Sequence, residues 1–148
     1  LKSVSMGLFA SFRHGKADDR ELGNALWRQD HDRFRRAVDR FHQVLEGTEE
    51  DSLYSVLLPE ADRLGELVSR VRDVCVQAQR RFPVTGDDVP GELEPTHRAL
   101  SRAANEAAAA AQAAAMARFE ADPAHVSATV SRRVGIVEDG VTDAEAGL

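Results

Sequence analysis

The stretch ALSRAANEAAAAAQAAAMA, which covers residues 99–117, decides the fold class of this chain. Twelve of its 19 residues are alanine, and the others are small or polar apart from one leucine and one methionine. Alanine is the best helix-forming residue because it loses no side-chain entropy on folding. The stretch therefore predicts a helix. Pro95 suits the first turn of a helix and extends this prediction to about 95–119.

Two more helices are predicted upstream, where apolar residues recur at alternating steps of three and four positions. The first helix should run over about 19–46, and its seam consists of Trp27, His31, Phe34, Val38, Phe41 and Leu45. The second should follow an N-cap at Thr48 and bury a seam from Tyr54 to Phe82. Because the seam keeps its register on both sides of Pro59, we expect one kinked helix here, not two separate segments.

The alanine-rich helix has two apolar stripes. The first, formed by His97, Leu100, Ala104, Ala107, Ala111 and Ala114, is sufficient to dock it in a three-helix bundle. The second, formed by Ala99, Ala103, Glu106, Ala110, Ala113 and Ala117, carries a single charge. Exposed helix faces usually carry many charges, so this second stripe indicates contact with another helix. A symmetry mate in a homodimer is our expectation. The alternatives are the arm or tail of the same chain, or an exposed face on which alanine is present only as a good helix former.

The predicted fold is all-α: an antiparallel up-down bundle of three or four helices with flexible ends. Residues 1–18 are expected to form an N-terminal arm and residues 19–120 the bundle domain. Residues 121–148 are expected to form an extended or flexible acidic tail. Residues 120–148 hold six acidic residues against two arginines, and the segment from Val126 to Val137 could lie along the bundle or form a short strand.

Composition argues against several protein classes. The net charge of −6 is unfavourable for binding nucleic acid. No apolar run approaches the length of a membrane span, and residues 1–12 are too short and polar for a signal peptide. The basic arm at 1–16 favours folding back on the bundle over weak contact with a membrane surface. The composition resembles that of GC-rich bacterial genomes, and we expect a cytoplasmic protein.

Catalysis and metal binding are not indicated. Cys75 is the only cysteine and lies on an apolar seam, so we expect an inert buried thiol. Two pairs approach the Glu-x-x-His spacing of metal sites, Glu94 with His97 and Asp39 with His42. In an up-down-up bundle the first and third helices are parallel, which separates the two pairs by about 25–30 Å. The sequence therefore predicts no enzyme, no metal and no cofactor.

The first helix also carries a basic stretch, formed by Arg33, Arg35, Arg36 and Arg40. Acidic residues lie four positions from several arginines, pairing Arg28 with Asp32, Asp32 with Arg36 and Arg35 with Asp39. Such pairs neutralise each other on a solvated helix face. We therefore expect no phosphate or nucleic-acid site on this stretch.

The function predicted from these features is that of a non-catalytic interaction or scaffold module. Self-association is expected through Ala99, Ala103, Ala110, Ala113 and Ala117, and the expected partner is a second copy or another helical protein. The alternative is a regulatory bundle that binds a small ligand in a cavity lined by Trp27, His31, Cys75 and Leu100. In either case His31, the one polar residue of its seam, should be buried and hydrogen-bonded.

Overall fold

The computed structural model describes residues 20–23, 25–83 and 88–148 of the chain. In these ranges it contains four long helices and no strand: α1 (Leu26–Glu46), α2 (Asp51–Arg81), α3 (Glu94–Met116) and α4 (Pro123–Ala146). Short 3-10 turns over Gly91–Leu93 and Ala117–Phe119 flank α3. The all-α class is therefore confirmed. The arm predicted at 1–18 lies outside the described residues.

The seam of α1 is buried as its spacing predicts, but the predicted helix is divided: residues 20–22 are helical, and α1 itself begins at Leu26. Gly23 interrupts the chain with a φ of +71°, a conformation that side chains rarely adopt. A Cβ atom at Gly23 would lie only 2.9 Å from Nε2 of Gln79. The positive φ therefore favours a glycine there, since the Gln79 side chain could move aside, and the turn at Gly23 separates Leu22 from α1.

Helix α2 is continuous through Pro59, which confirms the prediction of a single helix. Its N-cap is Glu50, so the predicted cap at Thr48 is wrong. The Thr48 hydroxyl instead donates 2.7 Å to the carbonyl of Val44 in the last turn of α1. Thr48 therefore closes the preceding helix and leaves α2 to begin three residues later.

The expectation of an extended or flexible tail over 121–148 is wrong. Helix α4 fills this region, and the Asp122 carboxylate caps it by accepting 3.0 Å from the N–H of Ala124. Its buried residues lie three or four positions apart and form one face: Val126, Val130, Val134, Val137, Val141 and Ala144. This apolar face overcomes the low helix propensity of valine, because packing against the bundle outweighs local preference.

The four helices form two antiparallel hairpins packed side by side, α1 with α2 and α3 with α4. Helix α1 also packs on α3 and α2 on α4, whereas α2 and α3 lie diagonally and hardly touch. In each of these inter-hairpin pairs, residues later in one helix lie next to residues later in the other. For α1 and α3, Asp30 meets His97 near the start of both helices, and Val44 lies near Ala114 towards the end of both. Hence α1 runs parallel to α3, and α2 parallel to α4.

Large side chains of the first hairpin fill the core against small ones of the second. Trp27, Phe34 and Phe41 of α1 are fully buried. Opposite them, α3 contributes mainly alanine, which allows the helix backbones to approach closely. Within the part of the chain that the structure describes, none of the helices has the length and apolar character needed to cross a bilayer.

Candidate functional site

The four residues predicted to line a ligand cavity are all core residues. Trp27, His31, Cys75 and Leu100 are each no more than 2% exposed. Other side chains line the two grooves described below. Burial raises the pKa of the Cys75 thiol well above its usual value, and the charges of Asp30 and Asp32 add to that shift. A neutral thiol is a poor nucleophile, which agrees with a structural role for Cys75.

His31 is buried as expected, and its Nδ1 atom lies 2.9 Å from Oδ1 of Asp32. The same carboxylate accepts a 2.9 Å hydrogen bond from Nε of Arg28. Asp32 is therefore held between a core histidine and a surface arginine, and this bond satisfies Nδ1 of the buried ring.

A second histidine–carboxylate pair joins α1 to α3, and sequence reasoning missed it. Nδ1 of His97 lies 2.7 Å from Oδ2 of Asp30, which is only 6% exposed. Burial raises the pKa of Asp30, and the hydrogen bond to His97 partly opposes this shift. The sequence feature that could have indicated this pair is His97, a polar residue on the apolar stripe of α3. Its partner lies 67 residues away and follows only from the parallel packing of the two helices.

The side chain of Trp27 packs against this histidine–carboxylate pair. Its ring meets the His97 ring edge-on, with centroids 6.4 Å apart. The indole Nε1 atom is buried without a hydrogen-bond partner among the described residues. An unpaired buried donor costs about 1–3 kcal/mol, so this cluster carries a polar group that the core does not satisfy.

An open groove of about 530 Å³ lies over the Asp30–His97 pair, between α1 and α3. Its lining residues are Leu26, Gln29, Asp30, Asp32, Arg33, Arg36 and His97. Of the three predicted pairs along α1, the structure contains Arg28 with Asp32, while Arg36 has no ion pair within the described ranges. Arg33 donates to the amide oxygen of Asn105 at 3.3 Å. The expected pairing of Asp32 with Arg36 is therefore wrong.

The stripe predicted to mediate self-association lies inside the chain. Ala99, Ala103, Ala110 and Ala117 are at most 3% exposed, and Ala113 is half-buried. Helix α4 covers the stripe at close range: a Cβ atom added to Gly140 would lie 3.2 Å from that of Ala103. The stripe is therefore covered by the C-terminal segment of the same chain, which was the alternative to a dimer. The stripe therefore gives no support to a dimer.

A different surface is exposed at the end of the bundle where both hairpins turn. Phe119 is 68% exposed and Met116 is 53% exposed. An adjacent groove of about 420 Å³ is lined by Val44, Gly47, Thr48, Glu49, Glu50, Leu53, Ala114, Ala115 and Arg118. The guanidinium of Arg118 lies 4.8 Å from the centre of the Phe119 ring and joins the groove to the exposed aromatic. We call this region the turn-end surface.

The two Glu-x-x-His-like pairs are not brought together. His97 is bound to Asp30, whereas Nδ1 of His42 donates 3.0 Å to the carbonyl of Val38. Across residues 20–23, 25–83 and 88–148, no three histidine, cysteine, aspartate or glutamate side chains are grouped as a metal site would need.

Comparison with known proteins adds no relative: no protein-family model, no curated protein and no solved structure matches this chain.

Proposed function

We propose that the protein is a non-catalytic interaction module whose turn-end surface binds an apolar, basic helical segment of a partner protein. The observation that carries this proposal is the exposure of Phe119 and Met116 beside an open groove. Large aromatic and methionine side chains are enriched in the centres of protein interfaces. Exposure of two large apolar side chains to water is unfavourable in free energy, and a partner that covers them removes this contact with water.

Charge indicates the chemistry of the partner. Four acidic residues, Glu46, Glu49, Glu50 and Asp51, are exposed around the α1–α2 turn, and two of them line the groove. Arg118, which is the one cation among the described residues that line the groove, lies over the Phe119 ring. An amphipathic helix with apolar side chains on one face and lysine or arginine along its edge complements both features.

This proposal keeps the predicted role and moves its location away from the alanine stripe. The partner is a separate helical segment, and self-association is an outcome to be measured. A cytoplasmic location in a bacterium also remains a proposal, supported by the single reduced cysteine and the composition.

Binding can be tested with two synthetic amphipathic helices that share a leucine face, one with lysine and one with glutamate on the polar face. We expect the lysine peptide to bind with one-to-one stoichiometry in a fluorescence anisotropy titration and the glutamate peptide not to bind. The double variant Met116→Ser with Phe119→Ser should weaken binding about tenfold or more, a typical effect for interface anchors.

Ile136→Ser is the matched control, because Ile136 is 43% exposed on α4 and does not line the turn-end groove. It should leave the affinity unchanged. Equal binding of both peptides, or equal weakening by the control, would contradict the proposal. Light scattering on the free protein separates self-association from partner binding, since a dimer that Met116→Ser with Phe119→Ser dissociates would identify a second copy as the partner.

A further inference from the structure

The groove over the Asp30–His97 pair is lined by two arginines and by a histidine held in a fixed orientation, and the positive charge of Arg33 also acts on Asp30. Arg33 and Arg36 both line the groove, and neither forms an ion pair within the described ranges. The carboxylates nearby are already occupied. Asp32 is held by Arg28 and His31, Asp30 by His97, and Glu94 by Arg98.

The orientation of His97 adds a third donor. Its Nδ1 atom is bound to Asp30, so the opposite ring nitrogen, Nε2, is the one left available. That nitrogen has no hydrogen-bond partner among the residues described, and the side chain is 27% exposed. When the Asp30–His97 pair holds two protons, one lies between the Asp30 carboxylate and Nδ1 of His97. The other lies on Nε2, which can then donate a hydrogen bond to a ligand.

We propose that this groove binds a small oxyanion through the guanidinium groups of Arg33 and Arg36 and through Nε2 of His97. Guanidinium groups bind phosphate and carboxylate oxygens through paired N–H donors, and a charged donor makes these hydrogen bonds stronger. The first turn of α3, which contains His97, presents the positive end of its helix dipole to the same region.

Size and charge restrict the ligand to a small molecule. A groove of about 530 Å³ accommodates a compact metabolite-sized anion. The chain as a whole carries a net charge of −6, which disfavours long polyanions such as nucleic acid. This site is separate from the turn-end surface and does not depend on the partner proposed there.

The test is a titration of the full chain with inorganic phosphate, and separately with acetate, at constant ionic strength. The readouts are the NMR resonances of the histidine rings and the heat of binding. We expect at least one of the two anions to shift the His97 ring resonances saturably with one-to-one stoichiometry. The better ligand distinguishes a phosphoryl group from a carboxylate. The resonances of His125, which is exposed on α4 and does not line the groove, should not move.

Arg36→Gln should weaken binding about tenfold, the size expected for losing one charge-assisted contact. Arg35→Gln removes the same charge from the neighbouring position, which does not line the groove, and should have little effect. Circular dichroism confirms that both variants are folded. The proposal is overturned if neither anion gives a saturable shift at His97, or if Arg35→Gln weakens binding as much as Arg36→Gln.

Discussion

Arg63 of α2 and Glu138 of α4 are joined by two hydrogen bonds, 3.2 Å from Nε to Oε2 and 2.5 Å from Nη2 to Oε1. One heptad further along the same two helices, Arg70 binds Glu145 in the same manner. Both pairs span 75 residues of sequence, so they hold the parallel helices in a single register. Arg63 also binds Glu60 at 2.7 Å and the Ser131 hydroxyl at 3.0 Å.

The first expectation concerns this network. Arg63→Met leaves Glu60, which is only 7% exposed, without its cation, and should lower the free energy of unfolding by about 2 kcal/mol. Arg70→Met is the matched control, because Arg70 and Glu145 are both more than one-third exposed and such pairs contribute less than about 1 kcal/mol. Urea denaturation measures both. Equal losses would show that burial of Glu60 is unimportant.

The second expectation concerns the close contact of α3 with α4. Ala103→Leu places three extra carbon atoms against Gly140 in a site that has no room for them, and should destabilise the fold by about 1–3 kcal/mol. Ala109→Leu, at a half-buried position of the same helix, should change the stability by much less. If the two variants unfold at the same urea concentration, α4 does not cover the stripe as described.

The third expectation concerns pH. Burial raises the pKa of Asp30 in the folded chain above its ordinary value of 3.8. The stabilising effect of its proton is complete below pH 3.8 and is lost as the pH rises through the folded pKa. The Asp30→Asn variant has no carboxyl proton to lose. Its free energy of unfolding, relative to that of the unmodified protein, should therefore increase as the pH rises from 3.8 through the folded-state pKa of Asp30.

Denaturant titrations at a series of pH values above 3.8 measure this difference. A relative stability that falls as pH rises would contradict the assignment, because it would mean that the hydrogen bond from His97 outweighs the burial of the Asp30 carboxylate.

The fourth expectation concerns Cys75. Burial both shields this thiol and raises its pKa, so the native protein should react very slowly with a thiol-specific chromogenic reagent. In denaturant the same thiol should react completely and at the rate of a free cysteine. Rapid reaction under native conditions would show that the core between α1 and α2 opens readily.

Three of the four helices could be located from sequence because their signals are local. Alanine content specified α3, and the spacing of Trp27, Phe34 and Phe41 specified the buried face of α1. Helix α4 has a comparable valine spacing from Val126 to Val141, yet its valine, glycine and aspartate residues disfavour an isolated helix. Only packing against α2 and α3 stabilises it, and that contribution cannot be seen within the segment itself.

The sequence by itself determined the all-α class, the continuity of α2 through Pro59 and the burial of His31 and Cys75. These depend on propensity and periodicity, which act over a few residues. Tertiary structure decided that α4 covers the alanine stripe, that Asp30 meets His97 and that Arg36 lacks an acidic partner among the residues described. Each of these depends on which helix faces come together, and that choice is made by the packing of the whole bundle and not by any one helix.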